Sequence, residues 1–206
     1  MVVVGGAGGL DDEHLGRIRP TFSTALAAVV ARSPLTLVDG GTDAGMMRLA
    51  GETWDMLSPR GALIGVAVER MISTGRETVA PPDAAPLEPH HTHFMLVPGD
   101  MWEADSPWIA AVATALAGDA PSVTVIANGG PISYTDVEHS VKDQRPVITL
   151  AGSGRVADDL AAAVAGGSAS ATARRLVDSG LIQSVDTADP DALGLALQHT
   201  LDVTAS

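Results

Sequence analysis

Four glycine-bearing junctions and one arginine are the residues of this 206-residue chain best suited by type and spacing to hold an anion. Gly5 and Gly6, Gly40 and Gly41 (with Gly45 beyond), Gly129 and Gly130, and Gly152 with Gly154 each follow an apolar run and precede a helical pattern. Glycines at such a turn leave backbone N–H groups bare at a helix N-terminus, a geometry that binds anions, phosphate above all. The alternative for each is a tight strand-to-helix connection in which glycine serves packing. Arg155 follows Gly154 near a first helical turn, where a cation meets the positive end of the helix dipole. That placement asks for an anion, either a ligand phosphate or an internal partner in Asp158 or Asp159.

Acids and histidines offer further chemistry. Asp100, Glu103 and Asp105 precede a helix expected to begin near Ser106, and Asp136 follows the third glycine junction. A pair of carboxylates here suits acid–base work or a ribose hydroxyl. Helix capping competes with that reading, with Ser106 and Pro107 as an N-cap and N1 pair and Thr135 or Asp136 as caps of the next helix. His90, His91 and His93, beside Glu88, suggest a metal, and a strand would put His91 and His93 on one face. No second ligand cluster is visible, so hydrogen bonding is the preferred role and no metal is expected. The chain has no cysteine, which excludes disulfides, a thiol nucleophile and Cys-ligated zinc.

These residues need a scaffold, and the apolar pattern supplies one. Strand-like segments recur at Val2 to Val4, Leu35 to Val38, Ala62 to Val68, His93 to Val97, Ser122 to Ala127 and Pro146 to Leu150, with a weak one at Leu181 to Val185. Helical patterns separate most of them, which is the alternation of a parallel sheet. Phe22, Leu26, Val29 and Val30, and then Trp108, Val112 and Leu116, mark helix faces expected to cover one side of that sheet. The fold class is therefore α/β, a Rossmann-like three-layer αβα sandwich with a mainly parallel sheet, whose glycine loops converge at the carboxyl ends of the strands. One domain over 1–206 is expected, with a Pro-rich excursion at about 75–92 read as a surface excursion before a lid.

Composition narrows the function. Aromatic residues are 3% of the chain, so Ala, Val, Leu and Ile must build the core. A formal net charge of −13 opposes broad contact with nucleic acid or an anionic membrane. The start of the chain lacks a basic n-region, and no apolar run approaches the roughly 20 residues of a membrane span, so a cytoplasmic protein is expected.

Taken together, "GGTDAGMM" (Gly40 to Met47), "LIGVAV" (Leu63 to Val68), "LEPHHTHFMLV" (Leu87 to Val97), "NGGP" (Asn128 to Pro131) and "GSGRVAD" (Gly152 to Asp158) resemble the SLOG superfamily. Within it they resemble the prokaryotic LSDAT branch, similar to the N-terminal cytoplasmic domain of TRPM channels. The resemblance implies a Rossmann-like sensor of nucleotide-derived ligands, ADP-ribose-like or NAD-related, that passes its signal to a separate effector. It implies ligand contacts at Gly5, Gly6, Gly40, Gly41, Thr42, Gly45, Met46, His93, Asn128, Gly129, Gly130, Gly152, Ser153, Gly154 and Arg155. It implies no further cofactor, and it is compatible with a homodimer. More distantly it resembles LOG-type phosphoribohydrolases, whose second motif reads P-G-G-x-G-T-x-E-E. Here Asn128, Ile132, Ser133 and Thr135 replace its proline, its G-T pair and one glutamate, and Asp136 alone keeps an acid. The enzymatic alternative is a nucleotide N-glycosidase assisted by Asp136, Glu103 or Asp105. A lysine decarboxylase does not fit.

Overall fold

The computed structural model describes residues 1–73 and 82–202. Apolar runs become the strands β1 (Val2–Gly5), β2 (Leu35–Asp39), β3 (Gly61–Val68), β4 (His93–Val97), β5 (Thr124–Ala127), β6 (Val147–Ala151) and β7 (Ile182–Asp186). They form one sheet in the order β4-β3-β2-β1-β5-β6-β7. Every pairing is parallel, so the sheet is wholly rather than mainly parallel. The helices are α1 (Asp12–Val30), α2 (Gly45–Leu57), α3 (Ser106–Ala117), α4 (Ile132–Lys142), α5 (Arg155–Val164), α6 (Ala171–Val177) and α7 (Ala192–Asp202).

Alternation along β1 shows how the layers form. Val3 faces a core built with Phe22 and Leu26 of α1, Leu49 and Trp54 of α2, and Leu193 of α7. Val2 and Val4 face a second core with Ile109 of α3, Val137 of α4, Leu160 of α5 and Leu176 of α6. Two faces, each covered by helices, make the three-layer sandwich. The expectation that α1 and α3 share a face is corrected. The chain steps outward from β1 to β4 and then crosses to β5 on the other side, and right-handed crossovers in opposite directions place their helices on opposite faces. The buried side of α3 is also corrected: Ile109, Ala110 and Ala113 are buried, while Trp108 and Leu116 are exposed.

Two helix starts differ from the sequence reading. α3 takes Asp105 as its N-cap, with no side-chain cap bond, and Ser106 is already helical. α4 begins at Ile132 after Pro131, so Thr135 and Asp136 lie inside the helix and cap nothing. The reason is the Gly129–Gly130–Pro131 turn, which sets the helix running before a polar cap is reached. Part of the expected 75–92 excursion lies outside the described residues. The part that returns is tied to the β2 loop by an antiparallel bridge between Thr42 and Leu87 and by Asp43 N–H donating to Pro86 at 2.8 Å. Among the described residues no helix is long and apolar enough to cross a membrane.

Candidate ligand-binding cleft

The strand order reverses between β1 and β5, and there the carboxyl ends of the strands diverge to open a cleft of about 540 Å³. This is the switch point at which open α/β sheets bind ligands. Its floor is Val3, Val4 and Gly5 of β1, and the loop Ala7–Gly8–Gly9 forms one rim. Gly40, Thr42 and Ala44 of the β2 loop form another, joined by Asp83 and Ala85 of the returning segment. Trp102 approaches from a single turn just before α3, Asp105 from the α3 N-cap and Ile109 from α3 itself, while Gly130 and Pro131 come from the turn before α4 and Ile132, Ser133 and Asp136 from that helix.

One end of the cleft is cationic. Arg155 is exposed at the start of α5 with φ +51°, a left-handed conformation unfavourable for a side chain other than glycine. Its guanidinium lies over Gly9, where any Cβ would collide with it, and 3.4 Å from where a Cβ on Gly130 would stand. Glycine at position 9 thus leaves the cation room beside the β1 loop, whereas a Cβ at position 130 would make only ordinary contact with it. Its proposed internal partners are engaged elsewhere. Asp158 accepts from Gly152 N–H at 2.7 Å, and Asp159 accepts from the Tyr134 hydroxyl at 2.5 Å and from Ser170 N–H at 2.9 Å. Among the described residues Arg155 makes no ion pair. Gly154, at φ +97°, and Asn128, at φ +59°, build the turn that holds it. Asn128 Nδ2 donates to the Ser153 carbonyl at 2.9 Å, and its N–H donates to Ser153 Oγ at 2.8 Å.

The cleft also carries two acids, Asp105 and Asp136. Burial and then the charge of Asp136 push Asp105 up to about 7, against a smaller pull from nearby backbone N–H groups. Burial pushes Asp136 up to about 6, with the neighbouring Ser106 hydroxyl acting the other way. Ser106 Oγ and Asp136 Oδ1 are both buried, and the Ser106 hydroxyl is the polar side chain that acts on the Asp136 carboxyl. A buried carboxyl poised near neutral pH can hold or give a proton, and an ionised one can only accept hydrogen bonds.

Behind the β2 loop lies a third group of ionisable residues, this one closed. His91 Nε2 is 2.8 Å from Asp39 Oδ1 and its Nδ1 is 2.8 Å from Glu88 Oε2, with all three side chains buried. Carboxylates only accept, so both ring nitrogens donate and the ring is an imidazolium. Burial pulls the His91 pKa down, but its bonds to Asp39 and Glu88 outweigh burial and hold it above the ordinary value. Asp39 Oδ1 also accepts from Gly41 N–H at 2.7 Å, and Glu88 N–H donates to the Gly41 carbonyl at 2.9 Å. The relay therefore pins the β2 loop and the returning segment, which both line the cleft. The idea of His91 and His93 together on a strand face is corrected: His91 precedes β4, and His93 is exposed on that edge strand beside Thr92.

Of the residues singled out in the sequence, the cleft gathers Gly5, Gly40, Thr42, Gly130, Arg155, Asp105 and Asp136. Gly6, Gly41, Gly45, Met46, His93, Asn128, Gly129, Gly152, Ser153, Gly154 and Glu103 do not line it. Most of these serve packing. A Cβ on Gly45 would strike the Gly6 carbonyl oxygen, one on Gly41 would stand 2.7 Å from the Gly65 Cα, and one on Gly129 would stand 2.7 Å from Ser133 Oγ. Met46 is a fully buried core residue, and Glu103 is exposed. Gly8 and Gly9 were missed, although the run "GGAGG" carried the signal. Trp102 and the Asp39–His91–Glu88 relay had no local signature.

A wholly parallel Rossmann-like sheet with a glycine-rimmed cleft at its switch point defines a class of small-molecule-binding α/β domains. The chain belongs to the family described as SLOG in TRPM, prokaryote, which matches residues 1–194. Among curated proteins none matches. Solved structures share the fold at low identity. The molybdenum cofactor carrier protein of Chlamydomonas reinhardtii is 16% identical with a TM-score of 0.60, over 98% of this chain and 96% of that one. The molybdenum cofactor binding protein of Rippkaea orientalis is 17% identical with a TM-score of 0.52, over 86% and 94%. TM1055, a structural-genomics target, is 16% identical with a TM-score of 0.62, over 96% and 97%.

Proposed function

We propose that the chain binds a phosphate-bearing, nucleotide-derived ligand of the ADP-ribose or NAD-related class across the carboxyl edge of the sheet, and passes the signal to a separate effector. Arg155 carries this reading. It is an exposed guanidinium without an ion-pair partner among the described residues, held in a costly backbone conformation and seated between two glycine loops at a switch point. A phosphate on Arg155 and on the N–H groups of Gly8, Gly9 and Gly130 would supply the anion this geometry lacks. No further cofactor is needed, and the protein would act in the cytoplasm, as a homodimer where copies associate. The two fold neighbours named for the molybdenum cofactor add that cofactor as an occupant to test.

One observation favours a second reading, cleavage of a nucleotide N-glycosidic bond. Asp105 at about 7 and Asp136 at about 6 are carboxyls poised where a general acid works best. Titrating ADP-ribose, AMP and NAD by calorimetry, while following free base and ribose 5-phosphate by chromatography, separates the two. The sensor reading expects binding without turnover. Robust release of ribose 5-phosphate, abolished in Asp136→Asn, would replace it with the hydrolase.

A further inference from the structure

We infer that a ligand enters the cleft together with a proton, which Asp105 and Asp136 take up. This rests on the reading of the cleft as a ligand site and adds the ion that accompanies the ligand. Asp105 occupies the N-cap position of α3, yet its side chain makes no cap bond and instead lines the cleft at 9% exposure. Asp136 lines the same cleft from α4, with Oδ1 buried and the Ser106 hydroxyl acting on its carboxyl. Val4, Ile109 and Ile132 line it with them, so the two carboxyls stand among apolar side chains.

Among the described residues no cation pairs with either acid. β1, β5 and β6, which pack on α3 or α4, carry no charged side chain. Asp39 of β2 is held by His91, Glu103 before α3 is exposed, and Arg175 of α6 pairs with Glu138 of α4 at 2.9 Å. Arg174 acts on Asp159, Arg145 lies 3.8 Å from Asp143, and His139 and Lys142 lie in the last turn of α4. Asp83 and Arg155 complete the charges of the cleft. None of these acts on either carboxyl; the charge that reaches Asp105 is that of Asp136.

A ligand changes this balance by what it displaces. A molecule filling a cleft of about 540 Å³ removes water from both carboxyls, and loss of water disfavours the ionised form. Negative charge on the ligand acts in the same direction. Asp105 at about 7 and Asp136 at about 6 already titrate near neutrality, so a further rise draws a proton from solution in that range. An ordinary surface carboxyl, titrating near about pH 4, would exchange none there. By linkage, binding weakens as pH climbs through the same interval.

The test is calorimetry with ADP-ribose, whose diphosphate does not titrate near neutrality, in buffers of different ionisation heat. The slope of observed heat against buffer heat counts the protons. About half a proton or more should be taken up per ligand at pH 7, and affinity should fall roughly tenfold between pH 6 and pH 8.5. Asp105→Asn combined with Asp136→Asn imitates the protonated pair. Uptake should vanish in that variant, and its affinity at pH 8.5 should come within about threefold of the unaltered protein's at pH 6. A melting curve verifies its fold. Binding without proton exchange in the unaltered protein, or undiminished uptake in the double variant, would overturn the inference and leave the phosphate reading standing. Uptake with an affinity untouched by Arg155→Ala would sink the phosphate reading and keep this one. No binding of ADP-ribose at any pH overturns both.

Discussion

Two groups of buried carboxylates stand on the same edge of the sheet, and they are partnered in opposite ways. Asp39 and Glu88 clasp His91 at 2.8 Å on each side, Asp39 Oδ1 also accepts from Gly41 N–H, and Glu88 Oε1 lies 2.5 Å from the imidazole of His90, while Asp39 Oδ2 is buried without a hydrogen-bond partner among the described residues. Among the described residues Asp105 and Asp136 have no such cation, and the polar side chain acting on Asp136 is the Ser106 hydroxyl. The first group is a closed internal structure that fixes the loops around the cleft. The second lines the cleft without a compensating cation, and its charge changes near neutral pH. Burial of an acid alone does not mark a binding site; burial beside a cleft without a compensating cation points to one.

The largest effect should come from opening the closed group. His91→Ala leaves Asp39 and Glu88 buried without their cation and should cost about 3–5 kcal/mol in urea unfolding. A loss under about 1 kcal/mol would show that the relay does not hold the loops. The His91 pKa is raised in the folded state, so its contribution is complete below the ordinary histidine pKa and is lost as pH rises through the higher folded value. Unfolding midpoints measured upward from pH 6 should fall in the unaltered protein and stay flatter in His91→Ala.

Gly45→Val should rank next, at about 3 kcal/mol, because the side chain meets the Gly6 carbonyl and the residue has φ +48°. Gly45 thereby acts in packing, and its loss would weaken ligand binding only through the fold. The open group should behave in the reverse sense. Asp105→Asn removes a charge that burial and Asp136 make unfavourable, so it should stabilise the protein by about 1–2 kcal/mol at pH 8. Its pKa is raised from 3.8 to about 7, so the unaltered protein loses stability as pH climbs across that interval, and the gain in Asp105→Asn should vanish near pH 4. Destabilisation at pH 8 would mean that Asp105 has a partner after all. Smallest of all is Gly8→Ala, where an added Cβ meets nothing within 4 Å. A change within about 0.5 kcal/mol is expected, with any effect confined to ligand binding.

The strands were legible because buried parallel strands read as unbroken apolar runs, and all seven lie within a residue or two of where the sequence puts them. The buried face of α3 was not. "SPWIAAVATALA" is apolar nearly all round, so no polar side marks which residues turn outward. The start of α4 was misplaced because no polar side chain caps it. At the site, Gly5, Gly40, Gly130 and Arg155 could be read from strand–glycine–helix order. The closed relay could not, since His91 and Asp39 are 52 residues apart and meet only through the register of β2, β3 and β4. The glycines split into rim and packing positions for a similar reason: which backbone each one approaches is a tertiary fact.

The central claim, that an anionic ligand completes the cleft at Arg155, is tested most directly by one paired measurement. ADP-ribose affinity and unliganded stability are determined side by side for the unaltered protein and for Arg155→Ala. The account predicts roughly ten- to a hundredfold weaker binding, the worth of about 1.5–3 kcal/mol for a hydrogen bond to a charged group, with unliganded stability nearly unchanged. Unaltered affinity together with a large loss of stability would contradict it and make Arg155 a structural residue.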